Sequence, residues 1–129
     1  MTTLGLSHIN LRAGRELLDE IKDFYCDVVG LRVGPRPPFP GFGYWLYAGD
    51  QPIVHLSEAD PGEDRSTGIA TTLDHVAFDC ANRHEVEDVL RRRALDYQSA
   101  VVPATRLVQL FLLDPGGNKV ELNFANAVD

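Results

Sequence analysis

Two octapeptides, 67 residues apart, constrain this chain more than any other feature. LSHINLRA at 6–13 and LDHVAFDC at 73–80 align without a gap and place His8 on His75. Later in each half, VHL at 54–56 matches VEL at 120–122 with an offset of 66, which places His55 on Glu121. A repeat of this length means that one supersecondary unit is built twice, each copy with its own buried face. Four residues able to bind a metal thereby fall on two equivalent positions of two equivalent halves.

Hydrophobic periodicity gives the content of each half. Residues 4–12 alternate as a strand, and 14–29 (GRELLDEIKDFYCDVV) carry apolar residues at helical spacing, with Gly30 placed as a left-handed helix stop. The proline-rich run PRPPFPGFG excludes regular structure. YWLYAG and PIVHLSE read as a hairpin joined by Gly49, Asp50 and Gln51. Residues 59–71 are polar, rich in turn formers and predicted to be a linker. The order then recurs. TLDHVAFDC is a strand; NRHEVEDVLRRRAL is a helix with Asn82 as N-cap and Val86, Val89, Leu90 and Leu95 inward; RLVQLFLLD and NKVELNF form a hairpin across residues 115–117. The boundaries predicted are module one at about 1–58, a linker at about 59–71 and module two at about 72–126.

Strand alternation puts His8 on the face of Asn10 and away from Ile9 and Leu11. By the same count His75 opposes Val76, His55 opposes Val54 and Leu56, and Glu121, with Asn123 on its face, opposes Val120 and Leu122. All four candidate ligands therefore leave the apolar stripe. A single His on a half-buried strand usually serves structure. Matched positions in two halves change that reading, and an unpaired Glu121 within an apolar strand would be costly to bury. Imidazoles with one carboxylate suit a divalent ion, Fe(II), Mn(II), Zn(II) or Ni(II). His8, His55, His75 and Glu121 are the candidate donors, giving two or three imidazoles and one carboxylate, with His55 either a ligand or a proton shuttle. Phe39, Phe42, Tyr44, Trp45 and Tyr47 either wall a substrate or fill the core.

The remaining signals mostly exclude. A net charge of −7, from 12 Lys and Arg against 19 Asp and Glu, argues against nucleic acid and anionic membrane surfaces as partners. The N-terminus lacks the pattern of a signal peptide and no run suits a membrane span, so a cytoplasmic protein is expected. Arg91 to Arg93 read as a solvated helix face and His84 as a surface residue. Cys26 and Cys80, outside CxxC spacing, are expected to be reduced and not nucleophilic. DPGGNK lacks the GK[ST] ending of a phosphate loop and reads as a turn.

The segments LSHINLRA, FYCDVVGLRVG, YWLYAGDQPIVHLSE, LDHVAFDC and QLFLLDPGGNKVELNF together resemble the vicinal oxygen chelate superfamily of glyoxalase I, fosfomycin and bleomycin resistance proteins and extradiol dioxygenases. That resemblance implies an α+β fold of two βαβββ modules, whose curved sheets form an open barrel around a metal, and pairing of modules across a homodimer. It also implies His8, His75 and Glu121 as ligands, the 2-His-1-carboxylate pattern of extradiol enzymes. Two positions depart from the family. Glyoxalase I-like members usually carry Glu or Gln where this chain has His55, and classical extradiol enzymes have a Tyr where it has Phe111.

The function expected is a metal-dependent enzyme on a small substrate chelated through vicinal oxygens, dioxygenase-like or lyase/isomerase-like. His55 and Glu121 are its candidate catalytic groups, and Asn10, Phe39, Trp45, Tyr47, Phe111 and Asn123 its candidate substrate contacts. A non-catalytic drug-binding or resistance protein of the same fold is the alternative, and a polar face that only mediates dimerisation is a third.

Overall fold

The computed structural model describes residues 1–125. Ten elements follow one another as β1 (Ile9–Ala13), α1 (Arg15–Asp27), β2 (Arg32–Gly34), β3 (Gly43–Ala48), β4 (Gln51–Glu58), β5 (Val76–Cys80), α2 (Arg83–Arg92), β6 (Gln98–Val101), β7 (Val108–Leu113) and β8 (Lys119–Phe124). Each half is thus βαβββ, and the fold class is the α+β one expected. The chain divides into two compact units, Met1–Cys26 with Gly30–Arg65, and Asp27–Val29 with the chain from Ser66 onward.

In the first unit the sheet order is β1-β4-β3-β2, with β1 parallel to β4 and the other pairs antiparallel. The second unit has the order β5-β8-β7-β6 with the same directions. The repeat extends to register: Asn10 and Trp45 flank His55, and at equivalent places Ala77 and Phe111 flank Glu121. Because neighbouring strands stand in phase, each sheet sorts its residues onto two faces. Leu46, Val54 and Leu56 are buried in the first unit; Val120, Leu122, Leu110 and Leu112 are buried in the second.

Helix α1 buries Leu18, Ile21, Phe24 and Tyr25, which recur at 3–4-residue intervals. After it, Gly30 takes φ +87 and the Leu31 N–H reaches back to the Tyr25 carbonyl at 2.9 Å, so the predicted left-handed stop is found. Its amphipathic neighbours hold it to the first sheet: Tyr44 O–H donates to Asp19 at 2.6 Å and Arg15 pairs with Glu58 at 2.7 Å. The Arg15 guanidinium also lies 3.3 Å from the Phe42 ring centroid.

Three local expectations are corrected. Strands β1 and β5 begin at Ile9 and Val76, after their histidines, since the preceding residues have no strand beside them. Asn82 precedes α2 but sits at φ 62, ψ 57 with no capping hydrogen bond from its side chain. Strand β6, which alternation did not reveal, exposes all four residues and forms only through backbone pairing to β7. Elsewhere Leu90 is the fully buried residue of α2, with Val86, Val89 and Leu95 half-buried, while His84 and Arg91 to Arg93 are exposed as expected. The DPGGNK turn is closed by Asp114, whose carboxylate accepts from the N–H groups of Gly116 and Asn118, both at 2.9 Å. Gly117 takes φ +81 there, and a Cβ on it would meet the Gly68 nitrogen at 2.7 Å.

Candidate metal and substrate site

The four candidate ligands come as two pairs, one in each unit. In the second unit His75 stands immediately before β5 and Glu121 lies within β8, and His75 Nε2 is 3.2 Å from Glu121 Oε1. On the other side of the ring, Nδ1 is 2.7 Å from Asp74 Oδ2. A carboxylate only accepts, so Nδ1 carries the proton and donates to Asp74. That hydrogen bond, with Lys119 3.6 Å away, holds the Asp74 carboxyl below its usual range. The Nε2 lone pair of a neutral His75 then faces a carboxylate that is only 7% exposed. Two acceptors at this distance repel unless a positive charge lies between them or on them. Either a second proton on His75 or a cation satisfies the pair. Neighbouring ligands each about 2.0–2.2 Å from one divalent ion stand about this far apart, so the donors fit a metal. Asp74, which the sequence reading missed, fixes the His75 tautomer by the hydrogen bond at Nδ1, as carboxylates do behind imidazoles that serve as ligands.

The first unit presents a different pair. His8 stands immediately before β1 and is exposed; His55 is buried in β4 at 9% exposure. Their rings stack at 3.7 Å between centroids with planes 12° apart, and Trp45 stacks on the far face of His55 at 4.1 Å and 15°. His55 Nε2 lies 3.0 Å from the Pro52 carbonyl, so Nε2 carries the proton and Nδ1 the lone pair. His8 Nδ1 meets Ser7 Oγ at 2.9 Å, leaving Nε2. A metal bound to an imidazole lies in the ring plane, and planes this nearly parallel do not meet close to the rings. As placed, His8 and His55 cannot both hold one ion. Burial, then the neighbouring His8 and Arg36 charges, push His55 below the usual imidazole range, partly offset by the Pro52 carbonyl. Among the described residues, no three His, Cys, Asp or Glu side chains gather as a complete ligand set.

Beside the stack opens a cleft of about 410 Å³, lined among others by His8, Asn10, Arg36, Phe39, Trp45 and His55. Asn10 accepts at its Oδ1 from the Ser57 hydroxyl at 2.9 Å, so its amide N–H groups stay available. Phe39, half exposed, stands 6.3 Å from Trp45. The other aromatics of that stretch are used in packing: Phe42 and Tyr44 engage α1. Tyr47, expected at the substrate, lies over Gly34 and donates its hydroxyl to the Pro35 carbonyl at 2.5 Å. The extra residue at the register shift beside Leu46 and Tyr47 is Ile53 of β4, so Tyr47 stays in phase with Trp45 along β2 and is set apart from the cleft by its bond to Pro35. In the second unit Phe111 approaches His75 edge-on at 6.4 Å, and Asn123, two residues beyond Glu121, has a buried Oδ1 without a hydrogen-bond partner. Arg36 was not singled out from sequence. Its Nη1 donates to the Gly41 carbonyl at 3.0 Å, whereas its Nε–H is buried and unpartnered, an omission that costs about 1–3 kcal/mol. Cys80 has no part in the site, and burial raises its thiol to about 11.

The sequence profile of the glyoxalase/bleomycin resistance protein/dioxygenase superfamily matches residues 5–122, so the chain belongs to that superfamily. The match runs from just before His8 to just past Glu121. Solved structures share the fold at low identity. A glyoxylase/bleomycin resistance protein/dioxygenase domain from Frankia superposes with a TM-score of 0.73 at 17% identity, covering 97% of this chain and 94% of that one. Lactoylglutathione lyase from Agrobacterium tumefaciens gives 0.61 at 23%, covering 96% of each chain. A variant of the fosfomycin resistance protein FosX from Listeria monocytogenes, complexed with Mn(II) and a dihydroxypropylphosphonic acid, gives 0.68 at 14%, covering 97% and 95%. No curated protein sequence matches the chain. Among the described residues, no helix is long and apolar enough to cross a membrane.

Proposed function

We propose that this protein is a divalent-metal-dependent enzyme acting on a small substrate chelated through vicinal oxygens, with His8, His75 and Glu121 as its ligands. The observation that carries this reading is the 3.2 Å approach of His75 Nε2 to a buried Glu121 carboxylate, with Asp74 occupying the opposite ring nitrogen. His8 supplies the third donor at the repeat-equivalent place. The protein acts as a cytoplasmic homodimer, an assembly supported by the solvent exposure of Leu6 and Leu73, the repeat-equivalent residues two before each histidine. Bound there, a divalent ion such as Mn(II), Fe(II), Zn(II) or Ni(II) supplies Lewis acidity toward substrate oxygens.

The chain's own residues do the rest. Asp74 keeps the His75 proton on Nδ1 and so presents Nε2 as a donor. Glu121 contributes the negative charge that offsets a dication. His55 serves as a proton acceptor and not as a ligand: its Nε2 proton is tied to Pro52, its Nδ1 is basic, and its lowered pKa keeps it neutral at pH 7. Asn10, Phe39, Trp45, Phe111 and Asn123 surround the substrate. The flat stack of Trp45, His55 and His8 also suits capture of a planar drug-like molecule without turnover, the alternative reading.

The test is metal content after chelation and reloading in turn with Mn(II), Fe(II), Zn(II) and Ni(II). One ion per chain is expected in the parent, and none in His75→Ala or Glu121→Ala of unchanged oligomeric mass. Undiminished metal in both variants would end the proposal. Assays of the loaded protein with catechols and with hemithioacetals then separate dioxygenase from lyase or isomerase activity, and turnover of neither with tight ligand retention favours the binding protein.

A further inference from the structure

The guanidinium of Arg36 lies at the cleft without an anion. In this acidic chain six of the ten arginines stand against carboxylates: Arg12 and Arg65 against Glu63, Arg15 against Glu58, Arg83 against Glu87, Arg91 against Asp88 and Arg93 against Asp27. Among the described residues, Arg36 has no carboxylate within 4 Å. Its placement is built. Pro35, Pro37, Pro38 and Pro40 stiffen the loop that carries it, Nη1 is tied to Gly41, and the guanidinium carbon lies 5.1 Å from the Phe39 ring centroid. Gly43 leaves it room, since a Cβ there would stand 2.9 Å from Nη2. What remains is the Nε–Nη2 edge, with its buried N–H lacking an acceptor.

We propose that the Arg36 guanidinium holds a carboxylate of the substrate, whose flat apolar remainder packs against Phe39 and Trp45 at the cleft wall. One guanidinium edge offers two parallel N–H groups, which match the two oxygens of a single carboxylate. The cleft, at about 410 Å³, lies within the usual range of roughly 300–1,000 Å³ for small-molecule sites. The Asn10 amide and the Ser57 hydroxyl add polar anchors at its wall. The inference rests on the function proposed above and assigns the substrate class at that site: a planar organic acid.

Trp45 is the single tryptophan, so intrinsic fluorescence reports on the cleft directly. Chelator-treated protein is titrated with benzoate, benzamide and phenylphosphonate, which excludes any contribution from a metal to carboxylate binding. Benzoate is expected to bind at least about tenfold more tightly than benzamide, a factor set by one charge-assisted contact. Arg36→Gln should erase that preference and Arg36→Lys should keep part of it, both with far-ultraviolet spectra like the parent. His75→Ala should leave it unchanged, so loss of the metal centre and loss of the acid site are read separately. Equal binding of benzoate and benzamide, no saturable response to benzoate, tighter binding of phenylphosphonate, or a preference that survives Arg36→Gln would each overturn the assignment.

Discussion

The two halves share order, register and ligand positions, yet they present their donors in opposite ways. In the second unit the donors point toward each other with a repulsive gap that calls for positive charge. In the first they are laid face to face, with Trp45 beneath, and one ring is fixed by a backbone carbonyl. A duplicated scaffold fixes where side chains begin; which groups surround them determines whether they can coordinate.

The sharpest way to break that contrast is to remove donors one at a time. Glu121→Ala should abolish metal binding at micromolar concentrations, whereas His55→Gln should retain it and lower turnover. Titration calorimetry with Mn(II) checks both. Equal loss in the two variants would make His55 a ligand and the contrast false.

The hydrophobic scaffolds, by contrast, should respond alike. Leu46 of β3 and Leu112 of β7 stand opposite Val54 and Val120, with exposures of 0% and 5%. Truncating either to Ala deletes buried methyl groups and leaves a cavity, at a cost of about 2–5 kcal/mol. Chemical denaturation measures each, and one variant unaffected while the other unfolds would show that the units do not rest on equivalent cores.

A smaller effect is expected where the second unit positions its histidine. Asp74→Asn removes the charge behind His75 and offers Nδ1 an amide in its place. Loss of such a partner typically weakens metal affinity about 10–100-fold. An affinity within twofold of the parent would mean that Asp74, which is largely exposed, does not set the His75 tautomer.

These contrasts explain what could be read from the chain. The repeat was legible because the two halves carry the same order of apolar and polar residue types, so His8 over His75 and His55 over Glu121 followed from aligning LSHINLRA with LDHVAFDC and VHL with VEL. Strand β6 was illegible because no residue of it is buried, and alternation records burial. Tyr47 keeps the face of Trp45, as alternation requires, but its hydroxyl is taken up by the Pro35 carbonyl, a partner that nothing in GYWLYA announces. Asp74 and Arg36 were missed for another reason. Charged residues abound in this sequence, and what distinguishes these two is the partner each has or lacks in space.

The mildest prediction concerns a device that only the first unit has. Arg12 of β1 donates to both oxygens of Glu63, at 2.8 and 2.9 Å, and Arg65 adds a third contact. The repeat-equivalent of Arg12 is Asp79, so the second unit cannot copy this clamp. The two arginines, Arg12 foremost, hold the Glu63 carboxyl down at about 2 from an ordinary value near 4.5. A carboxylate lowered in the fold binds fewer protons there than in the unfolded chain. Its contribution is therefore complete above the unfolded value and disappears as pH falls from about 4.5 towards 2. The clamp faces solvent, so the effect is small and weakens further with salt. The parent should melt above Glu63→Gln by a margin that is full at pH 6, narrower at pH 3 and closed only below about 2. A constant difference across that range would mean that the Arg12–Glu63 contact stabilises the unit through packing and not through charge.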